Sequence, residues 1–314
     1  MEKRILITGG SGLVGKALQK KLHNQECFFL SSKTCNLLNF NQVYNTFYSY
    51  KPTHVIHLAS KVGGLYDNLE SNYEFLSDNL LMHLNVVKMC ELFDIKVLIN
   101  IQSTCVFPDK IKEYPIKSEQ LHDGEPHYSN AGYAYSKRML EKLSFFLYKK
   151  SDISVYNLIP TNLYGENDNY NIIKGHVIPA LIHKTWNALN NNTDLIINGD
   201  GSASRQFLYV NDFADIIVYI LNKDIKNKKY KSIIVSPPEN HEIQIKDLIK
   251  KITSIFGFKN QVIYDLSYSN GQVKKTVSDM ELKLNGINYD FTCLDTGLDK
   301  TIRFFKENYN ILRK

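Results

Sequence analysis

Three glycines, Gly9, Gly12 and Gly15, recur at three-residue spacing in Thr8-Gly9-Gly10-Ser11-Gly12-Leu13-Val14-Gly15, between a short apolar segment at 4–8 and a helical pattern at 13–22. Glycines so placed permit a tight turn, a close approach of backbone to a diphosphate and close packing of helix on strand. The helix N-terminus adds unpaired N–H groups and positive potential. A strand before and a helix after favour a dinucleotide turn over a glycine-rich turn with no ligand. The rhythm continues with strands expected at 27–30, 54–58, 96–101 and 153–158, and helices at 68–93 and 130–148. Such alternation predicts an α/β fold, a Rossmann-type doubly wound parallel sheet. After Pro160 the rhythm loosens into an Asn-rich stretch at 187–193, a short strand at 195–197 and helices near 211–221 and 243–256. We expect residues 1–163 with about 205–236 to form a dinucleotide lobe, and about 164–204 with 237–314 a smaller α/β substrate lobe.

A chain of 314 residues can bury two such lobes around one cleft. No run approaches the ~18 apolar residues of a membrane helix, and the first strand begins at Arg4, leaving no room for a signal peptide. A cytoplasmic protein with no membrane partner is expected. Cys27, Cys35, Cys90, Cys105 and Cys293 show neither metal-ligand spacing nor a disulfide-dense pattern, so reduced thiols and no metal are expected. The net charge of +6 rests on 33 lysines scattered along the chain against 5 arginines. That pattern describes a solvated surface and not a nucleic-acid stripe, although a cationic cleft would suit a diphosphate.

The second strand ends Leu30-Ser31-Ser32-Lys33, with no acid to hold a ribose 2′-hydroxyl. The hydroxyls of Ser31 and Ser32 with Lys33 can hold a 2′-phosphate instead, which favours NADP(H) over NAD, although a solvated lysine loop would look the same. Farther on come Ser103-Thr104-Cys105, after a strand, and Gly132-Tyr133-Ala134-Tyr135-Ser136-Lys137. A Tyr four residues before a Lys carries little weight alone, because this composition yields about two such pairs by chance. Three occur, at Tyr133 with Lys137, Tyr170 with Lys174 and Tyr219 with Lys223. Only Tyr133 opens a helix that follows a Ser-bearing strand end, where i, i+4 spacing puts it on one face with Lys137. Tyr133 can protonate a carbonyl oxygen while hydride reaches the carbon, Lys137 can lower the phenol's pKa and hold the nicotinamide ribose, and Ser103 can orient the ketone.

These segments, with the stretches at 57–64, 103–108, 160–169, 175–184, 205–212 and 271–279, resemble the extended short-chain dehydrogenase/reductases and, among them, the GDP-L-fucose synthase family. The resemblance covers nearly the whole chain. It implies 3,5-epimerisation and 4-reduction of a GDP-4-keto-6-deoxy sugar, with Ser103, Tyr133 and Lys137 reducing and Cys105 and His176 epimerising. A C4 ketone acidifies the C3 and C5 protons, so inversion needs one group to remove a proton and another to return it from the opposite face. A thiolate and a histidine suit those tasks. Taken alone, Cys105 would more often be a small buried hydrophobe and His176 a helix-terminal polar residue.

The cofactor contacts so implied are Gly9, Gly10, Ser11, Gly12, Leu13, Val14, Gly15, Ser31, Lys33, Asn36, Leu37, Leu58, Ala59, Ser60, Tyr133, Lys137, Pro160, Asn162, Leu163 and His176. Substrate contacts are Val62, Gly63, Gly64, Ser103, Thr104, Cys105, Asn162, Val177, Leu181, Lys184, Asn198, Arg205 and Lys275, the last cations suiting a diphosphate. One departure stands out. Family members commonly carry Trp where this chain has Asn198, which exchanges a stacking ring for an amide. The resemblance also implies a homodimer through the helices at 68–93 and 130–148.

Overall fold

The computed structural model describes residues 2–223, 228–268 and 272–314. Residues 224–227, within the expected dinucleotide lobe, and Gly271, which opens the 271–279 stretch, lie outside the described residues. β1 (Ile5–Thr8) leads through the glycine turn into α1 (Leu13–Lys21), and then come β2 (Cys27–Phe29), α2 (Phe40–Tyr50), β3 (His54–His57), α3 (Leu65–Glu70), α4 (Asn72–Leu92), β4 (Val97–Ile101), α5 (Ala131–Lys150) and β5 (Ser154–Pro160). All residues of β1, β4 and β5 are buried, as strands covered by helices on both faces must be. Alternation of side chains sorts them between two cores. Ile5 and Ile7 pack in a cluster with Ala17 and Leu18 of α1, whereas Leu6 packs with Val43 and Phe47 of α2 and Val86 of α4.

The second half contributes β6 (Asn162–Tyr164), α6 (Val177–Asn191), β7 (Leu195–Asn198), β8 (Ser204–Arg205), β9 (Phe207–Tyr209), α7 (Val210–Asn222), β10 (Tyr230–Val235), β11 (Ile243–Gln244), α8 (Ile245–Phe256), β12 (Val262–Asp265), α9 (Met280–Leu284) and α10 (Leu294–Asn308). β10 joins the main sheet, giving the parallel order β10-β5-β4-β3-β1-β2. The chain passes from β1 outward to β2 and then back across to β3, so the loops after β1 and β3 part at the carboxyl ends and open a crevice. A further core gathers Tyr170, Ile182, Leu195, Ile252 and Phe305.

Several expectations need correction. The helical stretch at 68–93 is divided at Ser71, whose φ of −127° and ψ of 32° end α3 and begin α4. The Asn-rich stretch at 187–193 is mostly the end of α6, closed by Asn192 in the left-handed region that Asn tolerates. The helix expected at 243–256 begins at Ile245, because Ile243 and Gln244 pair antiparallel with Arg205 and Ser204. Helices α2 and α10 carry no expectation from the sequence, and each buries one apolar stripe, Val43 and Phe47 in α2 and Leu298, Ile302 and Phe305 in α10.

Candidate active site

A cleft of about 1500 Å³ runs along the carboxyl ends of the central strands. Apart from Gly10 and Lys33, every site residue expected from the sequence lines it. Gly9 turns the chain at φ +69°, and a Cβ there would stand 2.9 Å from Ala59 N. A Cβ on Gly15 would lie 2.5 Å from the Gly10 carbonyl oxygen. No side chain caps α1 at Gly12, so its first-turn amides are left to a ligand, and the turn fits a diphosphate. Gly10 supports the turn from behind, where a Cβ would meet Phe29 at 2.7 Å. Lys33, next in the chain to Ser32, is exposed and outside the cleft lining. Ser31 and Ser32 line the cleft, together with Cys35 and Lys16, which the motif reading missed. Lys16 follows Gly15 directly on α1, a position that glycine spacing alone does not flag.

Beneath the turn, Thr8 Oγ1 accepts from Ala59 N (3.1 Å) and pairs with His57 Nδ1 (2.8 Å), and His57 Nε2 pairs with His83 Nδ1 (2.8 Å). Burial, reinforced by the Lys137 charge, holds His57 down at about 3 and His83 well below the ordinary imidazole range. This neutral chain ties the β1 loop to the β3 loop. Asn79 of α4 clamps the next residues, its Oδ1 accepting from Lys61 N (2.7 Å) and its Nδ2 donating to Lys61 O (3.0 Å).

Tyr133 and Lys137 sit in the first two turns of α5. Close approach of α5 to α4 requires Gly132, since a Cβ there would fall 2.0 Å from Asn72 O. Lys137 is 1% exposed, and its Nζ donates to Ile101 O (2.7 Å) at the end of β4 and lies 5.7 Å from the Tyr133 ring centroid. Burial pushes Lys137 down to about 7, and burial, with the nearby Cys105, pushes the Tyr133 phenol well up. Lys137 is expected from the sequence to lower the phenol; here burial raises it instead. A phenol kept protonated at neutral pH is the form that donates a proton to a ketone oxygen.

Ser103 Oγ accepts from Cys105 N (3.3 Å), and a short 3₁₀ turn over Thr104–Val106 presents the thiol. Arg138 of α5 pins that turn by donating to Val106 O (2.7 Å). Two donors converge on the sulfur: Asn130 Nδ2 at 3.0 Å and Lys275 Nζ at 3.8 Å. Lys275, expected among the cations suited to a diphosphate and sugar hydroxyls, stands beside the thiol. His176 occupies the N-cap position of α6 with its side chain exposed in the cleft lining. Gly64 N bonds Lys174 O (3.0 Å), bringing the 62–64 loop against the segment that carries His176.

Lys184 Nζ donates to Asn198 Oδ1 (3.1 Å), and Arg205 donates to the carbonyls of Ser204 (2.7 Å) and Gln272 (2.6 Å). Burial lowers Lys184, Arg205 and Lys275 below their ordinary values. None of the three pairs with a carboxylate among the described residues. Three desolvated cations at one cleft form a receptor for an anion, whose charge would offset their burial.

The chain is similar over its whole length to known proteins. A GDP-L-fucose synthase of Dictyostelium discoideum is 40% identical over 100% of this chain and 98% of its own. A GDP-L-colitose synthase of Yersinia pseudotuberculosis is 30% identical over 98% of this chain and 99% of its own. The crystal structure of a GDP-L-fucose synthetase from Naegleria fowleri bound to NADP superposes with a TM-score of 0.91 at 38% identity, covering 99% of this chain and 95% of that one. Residues 5–235, from β1 through β10 and therefore spanning the whole parallel sheet with Ser103, Cys105, Tyr133 and Lys137, match the NAD dependent epimerase/dehydratase family, to which this chain belongs.

Proposed function

We propose that this chain is an NADPH-dependent enzyme that converts GDP-4-keto-6-deoxy-D-mannose to GDP-L-fucose by 3,5-epimerisation and 4-reduction. The observation that carries the reading is a thiol, Cys105, in one cleft with a protonated phenol, Tyr133, and three desolvated cations without carboxylate partners. Cys105 Sγ takes a proton from C3 or C5: the C–H bond breaks, an S–H bond forms, and the electron pair moves to the C4 oxygen as an enolate. His176 returns a proton to carbon from the opposite face. The amides of the glycine turn would hold the cofactor's diphosphate, and Ser31, Ser32 and Lys16 its adenosine end. When bound, the cofactor supplies hydride to C4. Tyr133 donates its proton to the C4 oxygen, which Ser103 orients, and Lys137 is placed to hold the ribose. Lys184 and Arg205 would take the GDP diphosphate.

The Asn198 side chain, bonded to Lys184 at the position where the resemblance implies Trp, favours a second reading. On it the same scaffold acts on another GDP-4-keto sugar, such as a 6-deoxy-heptose, with fewer epimerisations or with reduction alone. NADPH oxidation with GDP-4-keto-6-deoxy-mannose, followed by NMR of the product, separates the two. GDP-L-fucose establishes the first, while no oxidation or an unepimerised product moves the assignment to a related sugar.

The lobes we propose are 1–163 with about 205–236 for NADP(H) and about 164–204 with 237–314 for the GDP-sugar, in line with the separate core around Tyr170 and Phe305. A homodimer is supported by exposed apolar residues on the two long helices: Leu81, Leu84 and Leu92 on α4, and Met139 and Phe146 on α5. Five unpaired thiols suit a reducing compartment such as the cytoplasm.

A further inference from the structure

Asn130 stands at the N-cap position of α5, where Asn ordinarily accepts from the helix's first amides, yet its side chain makes no capping bond. Asn72 Oδ1 serves α5 instead, accepting from Gly132 N (2.9 Å). The Asn130 amide turns to the cleft, where Nδ2 donates to Cys105 Sγ (3.0 Å) and Oδ1 is buried without a partner. On the sulfur's other side Lys275 Nζ stands at 3.8 Å.

We propose that Asn130 is a positioning residue for the epimerisation thiol, its amide N–H directed with the Lys275 ammonium at Cys105 Sγ so that the sulfur is aimed at the sugar and its anion, once formed, has a donor in place. A donor bonded to the sulfur stabilises the anion more than the thiol, because the anion is the stronger acceptor. An amide keeps that donor at any pH, whereas Lys275 supplies a charged donor only while protonated. Its place, three residues before Tyr133, brings the acid that serves reduction and the donor that serves epimerisation onto adjoining turns. Hydrogen bonding to sulfur thus substitutes for helix capping at a position that is optimal for capping.

This inference rests on the reading of Cys105 as the base in the proposed function, and its test separates the two. Iodoacetamide labelling of Cys105, quantified on its own peptide at pH 7, reports the reactive thiolate without any sugar. Asn130→Ala and the isosteric Asn130→Asp should label about tenfold more slowly than the unsubstituted protein, and Asn130→Gln, which retains a donor on a longer arm, should recover part of the rate. Deuterium uptake from solvent at C3 and C5 of GDP-4-keto-6-deoxy-mannose should fall in parallel, with the melting temperature of Asn130→Asp close to that of the parent. Unchanged labelling in both Asn130→Ala and Asn130→Asp overturns the inference. Absence of deuterium uptake by the unsubstituted protein instead counts against the substrate reading and leaves the labelling comparison to judge Asn130.

Discussion

Replacing Lys137 by Met should stabilise the cofactor-free protein near neutrality while removing its reductase activity. Lys137 is buried, and its ammonium form is held down from 10.5 to about 7 by desolvation. Between those values the unfolded chain binds a proton that the folded protein has released, so folding stability rises with pH from about 7 to 10.5. At about 1.4 kcal/mol per pH unit, the neutral-pH penalty at 7.5 is about 4 kcal/mol. Met removes that penalty but leaves Ile101 O without its 2.7 Å donor, a loss of about 1–3 kcal/mol. The net gain is then about 1–3 kcal/mol at pH 7.5, on the order of 2–5 °C in melting temperature for a chain this long. At pH 10 the penalty has almost vanished, the orphaned carbonyl dominates and the sign reverses. Scanning calorimetry of both proteins between pH 7 and 10 should show two curves that cross. Parallel curves, or a Met variant less stable throughout, would refute the claim that Lys137 is a desolvated cation.

The two buried histidines act at the acid end. Because His57 and His83 stay neutral in the folded protein, stability should drop as pH falls below about 6.5, and His83→Leu should flatten that limb in urea titrations at pH 5 and 7; an unaltered slope would mean His83 bears no such penalty. Tyr133→Phe should slow NADPH oxidation about 10²–10⁴-fold while deuterium exchange at C3 and C5 continues, and Cys105→Ser should do the converse; wild-type exchange in Cys105→Ser would dismiss the thiol as base. Gly15→Ala would press a Cβ to 2.5 Å from Gly10 O, and the overpacking, about 1–3 kcal/mol, should weaken NADPH binding about tenfold by fluorescence titration. Affinity equal to that of the parent would show that the turn accommodates the methyl.

Periodicity and spacing reached the parallel sheet, the glycine turn and the choice of Tyr133 over Tyr170 and Tyr219, because each depends on residues within a few turns of one another. The choice of Tyr133 was nonetheless positional: Tyr170 also stands four residues before a lysine, and it is a fully buried core residue. Resemblance supplied His176 and the basic residues, which no local pattern marks. A charge beside a strand end, such as Lys33, says nothing about which way its turn faces, and the turn here closes on itself through Ser31 and Thr34.

What the sequence determined by itself, then, is the set of chemical groups and the local elements that carry them: three-residue glycine spacing makes a turn, and four-residue spacing puts Tyr133 and Lys137 on one helical face. Only the tertiary structure decided which groups meet. Lys275 reaches Cys105 across 170 residues of chain, Asn130 gives up its helix cap for the same sulfur, and Lys184 is joined to Asn198. The charge states of Tyr133, Lys137 and the two histidines were settled there too, because desolvation is a property of everything packed around a group and not of its neighbours in sequence.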